Sequence, residues 1–179
     1  AVMNALTMRR ALSYASNFDA LIVQHALDQD LQSAGVMHEG ELATRLGLTG
    51  IPVAAETAII DRDIRLVELT GARYHISQVS SGESVEAVRL AKARGLAVSC
   101  AVSAAHLMLN ENDVENYRTF AKLNPPLRSE DDRLALVDGL ADGTIDIVVS
   151  GHNPQDAEAK RQPFAQAAYG TVGVETLLS

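Results

Sequence analysis

Histidines are the residues of this sequence best suited to metal binding or proton transfer. They are His25, His38, His75, His106 and His152. His25 follows a short apolar run and His75 interrupts another, so both are expected at the ends of strands. Two neutral imidazoles at one rim could bind zinc, although zinc takes three or four nitrogen, sulfur or oxygen ligands. The alternative, which stays open here, is a pair of histidines that only form hydrogen bonds.

The other histidines and the single cysteine have less distinctive surroundings. His152 follows the last apolar run and could be a base, a ligand or a surface-loop residue. We expect His106 to pack against apolar neighbours and His38, in a glycine-rich segment, to be solvated. Cys100 lies within an apolar run, which predicts a small core residue rather than a nucleophile.

Two further polar motifs are expected to be structural. Asp61 and Asp63 come early in a predicted helix, where the helix dipole favours carboxylates. Residues 80–82, Ser-Ser-Gly, could hold an anion at a helix N-terminus, but a simple cap fits the same residues. The sequence contains no Walker-type or Rossmann glycine motif and no Gly-x-Ser-x-Gly elbow.

Alternating apolar patterns predict the elements that would position these groups. Short apolar runs predict strands at 20–23, 73–79, 96–102 and 145–149, the first of them buried on both faces. The predicted helices have apolar faces at Met8, Leu12 and Ala15, at Ile60, Ile64 and Val67, at Val85 and Val88, and at Leu134, Val137 and Leu140. Thr7 is the expected cap of the first helix. We expect a long loop with a short helix over 30–50 and an irregular stretch over 103–128.

Alternation of strands and helices predicts an α/β fold with parallel strands and right-handed crossovers. Two closures fit the pattern. One is an open doubly wound sheet, and the other is part of a (β/α)8 barrel, in which groups just past the strand ends face the active site.

Composition narrows the class of protein. The chain has 179 residues, 47% of them hydrophobic and 21% charged, which is typical of a folded globular domain. Its net charge of −8 does not suggest a nucleic-acid surface, and no apolar run is long enough to cross a membrane. One cysteine permits no internal disulfide, and we expect a cytoplasmic protein. The sequence at both ends leads us to expect a piece of a longer chain.

Several motifs in order resemble dihydroorotases of the multifunctional-complex type. The matching stretches are residues 75–77, 80–86, 91–96, 122–128, 142–146 and 173–176. The most specific are residues 122–128, Lys-Leu-Asn-Pro-Pro-Leu-Arg, and residues 142–146, Asp-Gly-Thr-Ile-Asp. The resemblance implies a (β/α)8 barrel of the amidohydrolase type, with residues 1–179 forming its C-terminal half, strands five to eight. The family's remaining metal ligands would precede Ala1.

The resemblance also implies the chemistry. Active members interconvert carbamoyl aspartate and dihydroorotate with two zinc ions, and an Asp after the eighth strand moves the proton. His25 and His75 match zinc-binding histidines. Asn124, Tyr169 and Gly170 match substrate-contacting positions, as does Gln155, which stands where members have a histidine.

The departures from the family pattern predict lost or weak activity. Active members read Thr-Asp-His-Ala-Pro-His after the last strand, and residues 150–155 read Ser-Gly-His-Asn-Pro-Gln. Gly151 therefore occupies the position of the catalytic Asp, and Asp156 or His152 could replace it only if the loop re-registers. The sequence also departs at residues 104–106, which read Ala-Ala-His where members have Pro-His-His. Residues 25–28 read His-Ala-Leu-Asp where members have His-Cys-Glu-Asp.

These observations lead us to expect the non-catalytic dihydroorotase-like subunit, a scaffold for aspartate transcarbamoylase in pyrimidine biosynthesis, with doubtful zinc occupancy. The alternative is an active zinc-dependent dihydroorotase or other cyclic amidohydrolase with a rearranged proton shuttle. A half-barrel would expose strand edges, so we also expect a homo-oligomer or pairing with the missing barrel half.

Overall fold

A four-stranded parallel sheet organises the chain in the computed structural model, which describes residues 1–174 and 177. The strands are β1 (Leu21–Gln24), β2 (Met37–His38), β3 (Gly50–Ile51), β4 (Arg73–Ile76), β5 (Val98–Ser103) and β6 (Ile147–Val149). The main sheet has the order β1-β4-β5-β6, and β2 pairs separately with β3. All these pairings are parallel, as predicted.

Helices connect the strands and form a single layer. The helices are α1 (Ala5–Ser16), α2 (Gln29–Gln32), α3 (Glu41–Leu46), α4 (Ala54–Thr70), α5 (Gly82–Ala93), α6 (Ala104–Met108), α7 (Glu130–Ala141) and α8 (Ala157–Lys160), with 3-10 helices at Glu111–Tyr117 and Thr119–Ala121. Helices α1, α4, α5 and α7 pack side by side against one face of the sheet. An open doubly wound sheet would carry helices on both faces, so this arrangement favours the barrel.

Alternation along the strands separates a core face from an open face. Tyr74, Ile76 and Cys100 are fully buried beneath the helices. The residues between them point to the opposite side, where His75 pairs in register with Val23 on β1 and with Ser99 on β5. Helix α1 contributes Met8, Leu12 and Ala15 to the core, as the periodicity predicted. Its cap is Asn4 rather than Thr7, because the Asn4 side chain accepts the Thr7 N–H.

The prediction that the first strand is buried on both faces is wrong. Leu21 is 44% exposed and Val23 is 58% exposed, because β1 is an edge strand and helices cover only its other face. On the opposite edge strand, Ile147 is 47% exposed. The open face therefore presents apolar side chains that a closed barrel would bury.

The predicted core face of α7 is wrong at Leu134 and Val137, although the third predicted residue, Leu140, does pack against the core. Leu134 is 47% exposed and Val137 is 39% exposed, whereas Leu136 and Gly139 are buried. Small residues set this face, because a β-carbon at Gly139 would stand only 2.7 Å from Val85 Cγ1 on α5. Close helix approach at a glycine thus overrides the apolar periodicity.

Two segments are more regular than the sequence suggested. Residues 30–50, predicted as a loop with one short helix, contain β2, α3 and the start of β3. The irregular stretch over 103–128 contains α6 and the two 3-10 helices. A second hydrophobic cluster joins these two segments; it comprises Val36, Met37, Leu42, Ala43, Val114, Ala121, Leu123, Leu127 and Phe164.

Among the described residues, no helix combines the length and the apolar character needed to cross a bilayer.

The open sheet face predicts self-association of residues 1–179 when they are prepared alone. Light scattering is expected to report a dimer or larger species, because within the described residues β1 and β6 each have one edge without a strand partner, beside exposed apolar side chains. Val23→Lys should shift the distribution toward smaller species. Leu69→Lys, a control at an exposed position of α4, should leave it unchanged. A sharp monomer for the unmodified chain would contradict the prediction.

Candidate functional site

A cavity of about 340 Å³ lies at the C-terminal ends of the strands. Its lining mixes polar and apolar groups, and it comes from the segment after β4, from the ends of β5 and β6, and from the loops that follow them. The lining residues are Gln78, Ser103, Ala105, His106, Leu123, Asn124, Val149, Gly151, His152, Asn153, Tyr169, Gly170 and Thr171. Ser103 and Val149 are the last residues of their strands and face each other in register. Parallel pairing thus brings two distant chain segments to one rim.

Gly151 adopts a left-handed backbone conformation in the wall of this cavity. Its φ is +58°, and a β-carbon there would lie 3.0 Å from Ser103 Cβ and 3.4 Å from Gln78 Nε2. A side chain at this position would therefore meet both backbone strain and crowding. Both the left-handed conformation and the close neighbours therefore favour glycine at this position.

Ser103 and His106 form a buried hydrogen-bonded pair beside Gly151. His106 Nε2 lies 3.1 Å from the Pro125 carbonyl, which can only accept, so His106 Nδ1 accepts from the Ser103 hydroxyl at 2.7 Å. Burial lowers the pKa of His106 to about 4. The ring is therefore neutral at neutral pH, and its packing role was predicted correctly.

The two histidines predicted to bind metal have different environments. His75 is 8% exposed, and its Nδ1 lies 2.8 Å from Ser99 Oγ, an arrangement that fixes the orientation of a ligating imidazole. Burial lowers the pKa of His75, against the opposing effect of the Asp146 carboxylate. His25 Nε2 lies 3.2 Å from Asn124 Oδ1, so the amide occupies one ring nitrogen.

These two histidines can supply only part of a zinc site. Across residues 1–174 and 177, no three His, Cys, Asp or Glu side chains are grouped so that they could hold a metal ion. Zinc takes three or four ligands, so any further ligands would have to come from outside the described residues. The Ser99 bond to His75 fits a ligating role, and the Asn124 contact at His25 would have to open if Nε2 is the ligating atom.

The predicted substrate-contacting residues separate into two groups. Asn124, Tyr169 and Gly170 all line the cavity. Gly170 has a φ of +126°, and any side chain there would overlap the Asn153 carbonyl oxygen. Gln155 is not among the lining residues; its Nε2 donates to Asn153 Oδ1 at 2.9 Å. It therefore supports Asn153, which does line the cavity.

The two residues suggested as replacements for the family's catalytic Asp also differ in their positions. Asp156 caps α8, because its Oδ1 accepts the Ala159 N–H at 2.8 Å, and it is exposed outside the cavity lining. His152 lines the cavity, and its Nδ1 accepts N–H groups from Gly173 and Val174 at 3.2 and 3.3 Å. These two N–H donors make Nδ1 the accepting nitrogen of the ring.

A buried polar network that the sequence analysis did not predict connects these parts. The Arg128 guanidinium is buried and donates to the Ile51 carbonyl at 2.6 Å and to Ser80 Oγ at 3.2 Å. Ser80 in turn donates to the fully buried Glu56 through its N–H and its hydroxyl. His38, predicted to be solvated, instead lies half-buried beside Arg128, and burial lowers its pKa. That environment arises from contacts between distant segments, which no local sequence pattern signals.

The remaining polar predictions concern caps and buried carboxylates. Ser81 caps α5 by accepting the Ser84 N–H, as the simple-cap reading predicted. Asp63 is structural, as expected, but it lies in the middle of α4 rather than in its first turn, and its role is to accept hydrogen bonds from Tyr74 and Arg62. Burial raises the pKa of Asp63. Burial also raises the pKa of Cys100 to about 12, in agreement with a core thiol. Within the last matching motif, Glu175 and Thr176 lie outside the described residues.

Dihydroorotases are among the known proteins similar in sequence to this chain. Residues 1–84 match the family described as Dihydro-orotase-like. The chain is 46% identical over 178 residues to a dihydroorotase of Anaplasma phagocytophilum (99% of this chain, 40% of that protein). It is 50% identical over 180 residues to a dihydroorotase of Anaeromyxobacter dehalogenans (99% and 42%). The chain thus spans about two fifths of the length of these relatives.

Solved structures agree on the fold. An L-hydantoinase from Arthrobacter aurescens superposes with a TM-score of 0.82 at 25% identity, over 98% of this chain and 40% of that one. The dihydroorotase of Saccharomyces cerevisiae in complex with 5-fluoroorotic acid gives a TM-score of 0.71 at 15% identity, over 94% and 45%. These are amidohydrolase barrels, and this chain has the fold of part of one, so the barrel rather than the doubly wound sheet is correct.

Substitution of Gly151 is predicted to destabilise the protein more than substitution of a glycine with the same backbone conformation in open space. Gly95→Ala, at a φ of +78° with no neighbour in reach, should cost about 1 kcal/mol of unfolding free energy. Gly151→Ala should cost about 1 kcal/mol more, because Ser103 must also move. Urea denaturation of both variants measures the difference. Equal losses would contradict the crowding at position 151.

The buried neutral His106 predicts a pH-dependent stability. Its folded pKa of about 4 lies below the unfolded value of 6.5, so the unfolded state binds more protons between these values. Unfolding free energy should therefore fall as the pH decreases from about 6.5 to about 4, with His106 contributing up to about 1.4 kcal/mol per pH unit. The comparison is with His106→Gln, in which this part of the slope should be absent. A slope identical in both proteins would refute the assignment.

Proposed function

We propose that this chain, which is 46–50% identical to the dihydroorotases compared above, forms the ligand-binding C-terminal half of a dihydroorotase-type barrel with impaired catalysis. The ligand class is that of the relatives' names, dihydroorotate and its ring-opened form, carbamoyl aspartate. The full protein would serve pyrimidine biosynthesis in the cytoplasm, a setting compatible with its single free, buried cysteine.

The observation that carries the impairment is the backbone at Gly151. In active members the residue at this position moves a proton to the leaving nitrogen, and glycine has no group that can do so. A side chain at this position would be strained by the left-handed backbone and would require Ser103 to shift by a few tenths of an ångström. Loss of a positioned acid or base costs about 10² to 10⁴ in rate.

Other groups in the cavity do not replace it. In the described part of the chain, the cavity lining contains no Asp or Glu. His106 is neutral and saturated by Ser103 and Pro125. His152 offers an Nε2–H donor, which suits hydrogen bonding to a ligand carbonyl, but its Nδ1 is already occupied by two N–H groups. The cavity is therefore better equipped to bind an amide than to move its proton.

Metal binding would use His25 and His75 as two of the ligands. A zinc ion there would polarise the ring amide carbonyl and lower the pKa of a bound water. His75 is oriented for this role by Ser99, while His25 would have to exchange its contact with Asn124 for the metal. Asn124 would then be free to meet the substrate, so the two roles fit together.

We extend the proposal to a scaffold role with aspartate transcarbamoylase as the partner. A barrel that keeps its fold and its ligand cavity but lacks a proton carrier can still contribute a surface. Size-exclusion chromatography of the two full-length proteins together is expected to show a joint peak. Separate elution at micromolar concentrations would remove the scaffold part of the proposal and leave the ligand site untouched.

The second candidate function is an active zinc-dependent dihydroorotase or related cyclic amidohydrolase. The observation that favours it is His152, which lies beside Gly151 in the cavity wall. In this case His152 would have to release its bonds to Gly173 and Val174 to accept a proton, or the proton carrier would come from another segment.

Turnover of dihydroorotate by the full-length protein with added zinc distinguishes the two functions. We expect a rate at least about 10²-fold below that of an active dihydroorotase measured in parallel, because no proton carrier stands at position 151. Metal analysis of the same sample reports whether zinc is bound. Turnover comparable to the active enzyme, lost on His152→Gln and retained in Gln155→Ala, would establish the second candidate instead.

A further inference from the structure

Lys122 is a buried cation that the proposed chemistry does not use. The residue is only 2% exposed, and its Nζ donates to the carbonyls of Phe164, Ala165 and Ala167 at 2.9, 3.0 and 2.8 Å. Three acceptors match the three N–H donors of an ammonium group. Burial lowers the pKa of Lys122, a cost that these bonds offset.

The same ammonium lies over the ring of Tyr169. Nζ is 4.6 Å from the Tyr169 ring centroid, within the range of a cation–π interaction, and 5.7 Å from that of Phe164. The main chain adds a further link, because the Lys122 carbonyl accepts the Gly170 N–H at 2.9 Å. One residue thus binds the 164–170 loop through both its side chain and its backbone.

This position couples two walls of the cavity. Lys122 is two residues before Asn124, on one wall, and its contacts hold Tyr169 and Gly170, on another. The loop it holds has little regular structure of its own, since α8 ends at Lys160. Without the ammonium group, three carbonyls would lose their donor and the Tyr169 ring its cation.

We propose that Lys122 is a positioning residue, which sets the geometry of the ligand cavity by fastening the Tyr169–Gly170 wall to the Asn124 wall. It acts through these residues and does not touch the ligand. The proposal rests on the proposed ligand site and deepens it. Its consequence is that ligand affinity depends on a charge buried beneath the cavity wall.

The test compares Lys122→Met with Lys92→Met in the full-length protein. Both variants remove an ammonium that donates to backbone carbonyls, but Lys92 binds Gly143 and Thr144, in the loop before β6 rather than at the cavity. Amide hydrogen exchange followed by mass spectrometry reports loop order. Isothermal calorimetry with dihydroorotate reports the cavity.

Lys122→Met is expected to speed exchange over 161–170 at least 10-fold, with residues 73–80 unchanged, and to weaken dihydroorotate binding at least 10-fold. Lys122→Arg, which keeps the charge and its donors, should recover part of the affinity. Lys92→Met should lower overall stability without either local effect. Wild-type affinity in Lys122→Met, or exchange that rises equally in all segments, would overturn the proposal.

The two arms separate this proposal from the proposed function. If the unmodified protein does not bind dihydroorotate, the proposed function fails, and the exchange data alone decide whether Lys122 fastens the loop. If Lys122→Met does not fold, lysine acylation of the unmodified protein replaces it. Lys122 should then react at least 10-fold more slowly than Lys92 and be protected further by dihydroorotate, whereas equal rates would overturn the proposal.

Discussion

The hydrogen bonds of the buried Arg128 guanidinium are the interactions on which the packing of three separate segments depends. They join the segment ending at Ile51, the turn at Ser80 after β4, and the arginine's own proline-rich loop. Glu56, at the start of α4, is linked to Arg128 through Ser80 and balances the guanidinium charge. A buried charge is tolerated only when its donors are satisfied, so these segments can pack above the sheet only together. Asn124, four residues earlier, reaches His25 from a loop that is fixed at this point.

Local sequence patterns predicted what depends on local periodicity. The buried residues of α1 and α4, and the parallel strands, follow from apolar spacing alone. The errors arise where a neighbouring element determines which residues are buried. Leu21 and Val23 read as doubly buried, yet nothing in the described chain covers their outer face. Leu134 and Val137 read as core, but α7 turns Leu136 and Gly139 inward because glycine permits close approach to α5.

The candidate site shows the same division. The histidines at strand ends and the glycine at position 151 are visible in the sequence, because the ordered motifs align them with a family. The orientation of His75 by Ser99 and the contact of His106 with Pro125 are not visible, because each joins residues distant in sequence. The left-handed conformation of Gly151 is a backbone angle that the sequence does not specify. Lys122 belongs to a recognised motif, but only the folded 164–170 loop reveals what its charge does.

The open face of β5 carries three small side chains, Ser99, Ala101 and Ser103. Barrel interiors are filled in layers by side chains from alternate strands, at nearly crystalline density. Strands that complete this barrel must therefore bring bulky aliphatic groups opposite β5. Two copies of this chain would place small side chains opposite small side chains at β5 and would enclose empty volume. Their interface would therefore be less well packed than an interface with strands that carry bulky side chains.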